Sequence, residues 1–245
     1  MLVRTEGIVI KTIDYGEGNK IITLFTETHG KVALMAKGAK KTKSRLSSVS
    51  QLFSYGEYSF YLSSGMGTLN YGETIQSFTR ILQDIVRTAY SSYLVELTDK
   101  VTEPHEPNVF LYQQLLAGLQ QIEDGKDPDV ISRIFELKAL HISGYQPRLH
   151  SCVLCGSNET LERFSIQHGG VICDQHVHEP FIVLQGTTLK LLRMFEQIDI
   201  RRIGNTSIKD STKSQLQHVM RSFIEHHVGI QLKSQNFLDQ IKRFE

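Results

Sequence analysis

The 245-residue sequence has none of the short signatures that mark the common nucleotide and hydrolytic enzymes. There is no G-x-x-x-x-G-K-[ST] run to wrap phosphates, which excludes a P-loop ATPase. G-x-S-x-G and H-E-x-x-H are also missing, which excludes the serine-elbow hydrolases and the zincins. Gly16-Glu17-Gly18 has no third glycine and opens a strand pattern, not a helix, so it is no dinucleotide fingerprint. No apolar run approaches the ~20 residues of a membrane span. The short run Ile8-Val9-Ile10 is flanked by Glu6 and Lys11 and does not read as a secretion signal, so a cytoplasmic protein is expected. Cysteine is scarce. Three residues cannot form a disulfide framework, and a reducing compartment keeps them free.

Those three cysteines fall together, as Cys152-Val-Leu-Cys155 and Cys173-Asp-Gln-His176 with a seventeen-residue spacer. Two knuckles that each offer two soft ligands suit a tetrahedral zinc ion, and the spacer fits a zinc ribbon or treble-clef-like loop. Gly156 can supply the positive φ of such a turn. Four protein ligands leave no open position, so the expected site is structural, with Cys152, Cys155, Cys173 and His176 as ligands. His178, and less directly His168, compete for the fourth place. A redox C-x-x-C would need a βαβ setting that is not evident. A deaminase needs H-x-E before P-C-x-x-C, and here His178-Glu179-Pro180 follows the cysteines.

Net charge is only +1, but it is unevenly spread. Residues 1–80 hold ten Lys/Arg against six Asp/Glu, residues 81–150 six against ten, and residues 151–245 eleven against ten. A basic first third beside an acidic middle points to an anionic partner for the former.

The first third reads as strands. Gly7–Ile13, Lys20–Glu27 and Lys31–Lys37 are β-branched and bounded by turns. Gln51–Leu62 alternates with a phase slip near Gly56-Glu57 that predicts a bulge, and Gly67–Ile75 follows the Ser-Ser-Gly-Met-Gly turn. Five short strands in this length suit a five-stranded OB-fold barrel. From Phe78 the period turns helical, with one helix through Ile81, Ile85, Ala89, Tyr93 and Leu97. Further helices are expected at Asn108–Glu123, at Asp129–Ser143 with Asp129 as cap and Gly144 as stop, at Thr187–Ile198, at Ser211–His227 closed by Gly229, and at Gln235–Phe244. The expected class is α+β multidomain: an OB barrel at 1–79, a helical bundle at 80–149, a Cys3His zinc module inserted at 150–180, and helices at 181–245 that complete the helical part.

Lys37-Gly-Ala-Lys40-Lys41-Thr-Lys43-Ser-Arg45 places five cations in nine residues with no acid, and His29 and Lys31 lie just upstream. This reads as a flexible basic loop that meets phosphates. As a set of charges it is equally a solvated surface loop. Its place between the third and fourth barrel strands, near Phe25, Tyr55, Tyr58, Tyr61 and Tyr71 as candidate stacking rings, favours nucleic acid. Most of those rings belong to a barrel core, and Tyr58 and Tyr61 lie on opposite faces by parity. The adjacent His226-His227 reads as a helix-end dipole contact.

The runs Gly7–Glu17, Lys20–Glu27, His29-Gly30-Lys31 and Lys37–Arg45 resemble the RecO family of bacterial recombination mediators. So do Phe135-Glu-Leu-Lys138, Gly144-Tyr145-Gln-Pro147, Cys152-x-x-Cys155-Gly156, Phe164-Ser165 and Gly169-Gly170-x-x-Cys173. The resemblance runs nearly the whole length, in order. It implies a non-catalytic, nucleoid-associated DNA repair protein that binds single- and double-stranded DNA and anneals complementary strands. It also implies that the protein acts with RecR and contacts the acidic tail of single-strand-binding protein. In this way it would help RecA onto coated single strands. DNA contact carries over to Lys37, Lys40, Lys41, Lys43 and Arg45. Position 176 departs from the pattern, since members with a full metal site often have a fourth Cys there. For the acidic tail, Arg193, Arg201, Arg202 and Arg221 on the C-terminal helices offer a groove. The competing reading is a nucleic-acid-modifying enzyme with the Cys/His module as its catalytic centre.

Overall fold

A computed structural model describes residues 1–63, 65–205 and 207–241. Five strands, β1 (Leu2–Tyr15), β2 (Asn19–Thr26), β3 (Gly30–Ala36), β4 (Tyr55–Tyr61) and β5 (Gly67–Gln76), close into a barrel of order β1-β2-β3-β5-β4. β4 pairs back onto β1, and only the short β3–β5 contact is parallel, which is the OB topology. β1 begins five residues earlier than alternation suggests, because Val3 and Thr5 pair with Phe60 and Tyr58. The anticipated irregularity in β4 is present, as a register shift between Tyr55 and Gly56 against β5.

A second bulge was not foreseen. Val9 pairs with Leu24 and Lys11 with Thr23, which leaves Ile10 as the extra residue of β1. Strand alternation divides the barrel's apolar residues into two sets. Val9, Ile22, Leu24, Leu34, Tyr58 and Phe60 fill the barrel interior. Ile8, Ile10, Phe25 and Phe53 instead join the core of the helices.

Those helices are α1 (Thr79–Gln83), α2 (Ile85–Val101), α3 (Val109–Glu123), α4 (Pro128–Ile142), α5 (Gly186–Gln197), α6 (Asp210–Phe223) and α7 (Lys233–Ile241). The expected single helix from Phe78 to Leu97 is two. Asp84 stops α1 and caps α2, accepting from the N–H groups of Val86 and Arg87. The cap of α4 is Asp127, not Asp129, with Pro128 at the first helical position. Freed from capping, Asp129 is buried and accepts from Tyr90 Oη at 2.8 Å. α6 ends earlier than expected and continues as a π-turn over Ile224–Val228 before Gly229 at φ 70°. The end of the last expected helix, at Phe244, lies outside the described residues. Among the described residues no helix is long and apolar enough to cross a membrane.

A three-stranded sheet of order β7-β6-β8, from β6 (Arg163–Ser165), β7 (Gly170–Ile172) and β8 (Ile182–Val183), lies between α4 and α5 in the chain. Its Phe164, Val171 and Ile172 share the helical core, so the Cys/His segment is continuous with the body it interrupts.

One helix, α4, buries opposite charges against α2. Arg133, 1% exposed, donates to Glu136 at 2.7 Å, and Tyr93 Oη donates to the same carboxylate at 2.5 Å. Burial alone would lower the Arg133 pKa, but Glu136, Tyr93 and Asp129 outweigh it and hold the guanidinium charged.

Candidate metal centre and nucleic-acid interface

The first cysteine knuckle is a tight turn in which Gly156 N–H donates to Cys152 O at 2.8 Å, and Gly156 has φ 77°. The second is a 3-10 turn, with His176 N–H donating to Cys173 O at 3.0 Å. Val153 N–H to Val171 O, at 2.9 Å, holds one knuckle to the strand that leads into the other. Cys152, Cys155, Cys173 and His176 then present ligand atoms that all lie within 4.8 Å of one another. The Cys155 and Cys173 sulfurs are 3.6 Å apart, and His176 Nδ1 is 3.7 and 3.4 Å from the sulfurs of Cys152 and Cys173. Four soft donors aimed at one point can hold a metal ion, and they leave no ligand position to solvent chemistry.

Burial pushes the Cys152 thiol up, but backbone hydrogen bonds from Cys173, Cys155 and Leu154 outweigh it and bring the group down to about 6. Burial pushes Cys173 up. The competing histidines are placed elsewhere: His178 is exposed and faces Glu179, and His168 Nε2 lies 3.1 Å from the same carboxylate.

The basic segment differs from the expected flexible tether. It is a chain of turns docked on the β1–β2 hairpin. Gly38 N–H donates to Asn19 Oδ1 at 2.8 Å, Lys40 N–H to Gly18 O at 3.1 Å, and Ser44 N–H to Lys41 O at 2.9 Å. Ala39 is buried beneath it. Lys40 pairs with Asp14 at 2.8 Å, and that hydrogen bond holds the Asp14 carboxyl below its usual range. Lys37, Lys41, Lys43 and Arg45 are exposed, and among the described residues none has an ion-pair partner. Lys31, by contrast, is turned inward. It pairs with Asp99 at 3.1 Å and donates to the carbonyls of Asp99 and Thr102, tying the barrel to α2.

Of the candidate stacking rings, Phe25 and Tyr58 are fully buried and Tyr55 is half-buried with its hydroxyl on Glu6. Tyr61 and Tyr71 are exposed. Tyr15, 53% exposed, is a ring that strand alternation does not single out. Its sequence signal is its place just before the Gly16-Glu17-Gly18 turn. The arginines expected to form a groove are mostly engaged. Arg193 donates to Leu149 O, Arg201 chelates Asp199, and Arg221 pairs with both Glu225 and Asp239.

A closed OB barrel with a cationic rim, continued by helices that carry a thiol–imidazole centre, puts this chain in the class of OB-barrel proteins with an appended helical body. Comparison with known proteins narrows the class. Residues 1–78 match the family model described as Recombination protein O N terminal, and residues 82–236 match Recombination protein O C terminal. Similar proteins from Bacillus cytotoxicus, Bacillus cereus and Bacillus mycoides, each named DNA repair protein RecO, are 43%, 43% and 42% identical to this chain. Each alignment covers 247 positions and 100% of both chains. The chain belongs to the RecO family of DNA repair proteins.

Proposed function

We propose that this protein is a DNA-binding recombination mediator. It binds single- and double-stranded DNA, anneals complementary strands, and with RecR assists RecA onto strands coated by single-strand-binding protein, whose acidic tail it contacts. The observation that carries the DNA-binding part is the set of exposed, unpaired cations Lys37, Lys41, Lys43 and Arg45, held on one rim of an OB barrel. Cations without an internal partner are free to replace the counterions of a phosphate chain. The partners rest on family membership. The protein acts by holding strands, without covalent chemistry, in the cytoplasm at the nucleoid.

The metal we assign to the Cys3His centre is zinc, in a structural role. Zn–S bonds of about 2.3 Å in a tetrahedron set sulfur–sulfur edges of about 3.8 Å. The Cys155–Cys173 sulfur separation of 3.6 Å is near that size, and the sulfur–nitrogen separations of 3.7 and 3.4 Å suit the shorter edges to a nitrogen ligand. When bound, the ion supplies a cross-link between the two knuckles, and Cys152 and Cys173 carry that cross-link into the apolar core.

The test is binding to single-stranded and duplex oligonucleotides across a salt series, followed by annealing. Log affinity should fall with log salt by roughly 0.7 to 0.9 per phosphate contact. Changing Lys41 and Lys43 to Glu should weaken binding to every sequence alike and flatten that slope, with annealing falling in parallel. A folded double variant that binds with wild-type affinity and slope would overturn the reading.

A further inference from the structure

β1, β4 and β5 pair so that residues far apart in sequence stand in rows on the outside of the barrel. Leu2, Tyr61 and Thr68 form one row, Arg4, Ser59 and Tyr71 the next, and Glu6, Glu57 and Glu73 the third. Residues directly opposite in an antiparallel pair share a face, and alternate residues of a strand do too. The intervening Val3, Thr5, Tyr58 and Phe60 are buried on the inside. Glu27, just past the end of β2, extends the third row, and its N–H donates to Glu6 O at 3.4 Å.

Like charges directly opposite one another destabilise a sheet. Four carboxylates nevertheless stand together here, and the chain does little to answer them. Arg4 pairs with Glu57 at 2.6 Å, while Glu6 and Glu73 accept only from the hydroxyls of Tyr55 and Tyr71. Among the described residues Glu6, Glu27 and Glu73 have no ion-pair partner. Burial, the bond to Glu6 and the charges of Glu6, Glu27 and Glu57 hold the Tyr55 hydroxyl well above its ordinary range. A row of like charges with so little compensation is fitted to a cationic surface from outside.

The chain carries such a surface itself. The rim cations Lys37, Lys41, Lys43 and Arg45 are equally unanswered, and the rim is anchored by Lys40 to Asp14 of β1. Asp14 lies eight residues beyond Glu6, about 26 Å along the strand at about 3.3 Å per residue. The screening length at 0.1 M salt is about 10 Å, so a chain's own acidic row does not neutralise its own rim. A second copy brings the two together. Each surface also has something apolar to bury: Leu2, Tyr61 and Tyr71 flank the acids, and Ile13 and Tyr15 are exposed beside the cations. Charge would then steer and align the copies, and these side chains would exclude water between them.

We propose that the Glu6–Glu57–Glu73 row, with Glu27, docks the Lys37–Arg45 rim of a second copy of this chain, so that DNA-free protein assembles through the cations it otherwise offers to DNA. The contact joins two different surfaces. A pair related by a two-fold axis makes it twice and stops, and any other rotation repeats it into a ring or chain. DNA phosphates claim the same cations, so self-association and strand binding exclude each other; this last consequence rests on the DNA-binding reading.

Sedimentation of the full-length protein over a concentration series tests the contact. In low salt the average mass should climb to about twice the monomer's or more, and it should return to the monomer's near 1 M salt, where the screening length is about 3 Å. Glu57→Lys with Glu73→Lys should stay monomeric, and so should Lys41→Glu with Lys43→Glu. An equimolar mixture of these two variants should associate, since each offers what the other lacks. Glu57→Gln with Glu73→Gln keeps the side-chain size and should also weaken association. An excess of a short oligonucleotide should dissolve the wild-type assembly, and the Glu57/Glu73 variants should bind it no more weakly than wild type. Wild-type protein that binds the oligonucleotide with the expected salt slope, yet is monomeric at every concentration in low salt, would overturn the contact and leave the DNA-binding reading standing. Undiminished association by the folded Glu57/Glu73 variants, or a mixture that stays monomeric, would overturn it too. Association that these variants abolish, in a protein that binds no oligonucleotide, would uphold the contact and remove the DNA-binding reading.

Discussion

Two groups of cations in this protein have met opposite fates. Arg133 is sealed among Glu136, Asp129, Tyr90 and Tyr93, with its charge answered from within the chain. Lys37, Lys41, Lys43 and Arg45 stand on the barrel rim with no answer from the described residues. The residue types are nearly the same. What separates a structural cation from one that waits for a partner is whether the fold has already placed an anion beside it. Lys31 and Lys40 show the same rule inside the basic region. Both belong to the basic stretch of the sequence, and both are taken by carboxylates, Asp99 and Asp14.

The comparison is most strongly tested by taking an anion away from the sealed group. Glu136→Ala should destabilise the protein by about 3–5 kcal/mol, because it strands a buried guanidinium. Urea unfolding would measure this, and a loss under about 1 kcal/mol would mean that Arg133 reaches solvent or another partner. Next comes the candidate metal centre, whose four donors face one another in the same sense. Cys152→Ser should take bound zinc from about one ion per chain to none and lower the melting temperature, as structural metal binding is coupled to folding. Elemental analysis and thermal melts would check both. A wild-type protein equally stable after chelation would remove zinc from the structure's support.

Lys31→Met should cost roughly 1–3 kcal/mol through its lost charged hydrogen bonds, while DNA affinity and salt slope stay within error of wild type. If DNA binding fell with it, Lys31 would belong to the rim set after all. Lys41→Glu with Lys43→Glu is its mirror image: stability should stay within about 0.5 kcal/mol, and binding should weaken. The clean pair excludes Lys40, since a glutamate there would face Asp14. The smallest effect is in pH. The Asp14 carboxyl is lowered by Lys40, so the pair's stabilisation is present above the ordinary carboxylate pKa and is lost as pH falls through the lowered one. Asp14→Asn should therefore lower the melting temperature slightly at neutral pH, and its profile should converge with wild type at the acid end.

Much of this was legible in the sequence, for identifiable reasons. The strands showed because alternation and glycine turns are local. The Cys3His cluster showed because four soft donors at knuckle spacing have few other uses. The choice of His176 over His178 depended on the turn at Cys173, which brings Nδ1 toward the sulfurs. The break at Asp84 was hidden by an apolar period that runs unbroken across it. The Arg133–Glu136 pair was hidden because charges three apart on a helix usually face water. The acidic row was invisible for a deeper reason. Glu6, Glu57 and Glu73 are far apart in sequence, and only strand register makes them neighbours.

The single extra residue at Ile10 has a mechanical consequence. It changes the parity of β1 from Lys11 onward, while Ile8, Ile10 and Phe25, outward by alternation, join the barrel to the helices through one core. A load on a strand held at the rim, as proposed, would pass through Phe25 and Lys31 into α2 and α3. Whatever binds the helical side would then be carried at a fixed distance and angle from a strand held at the rim, like a tool on a rigid handle.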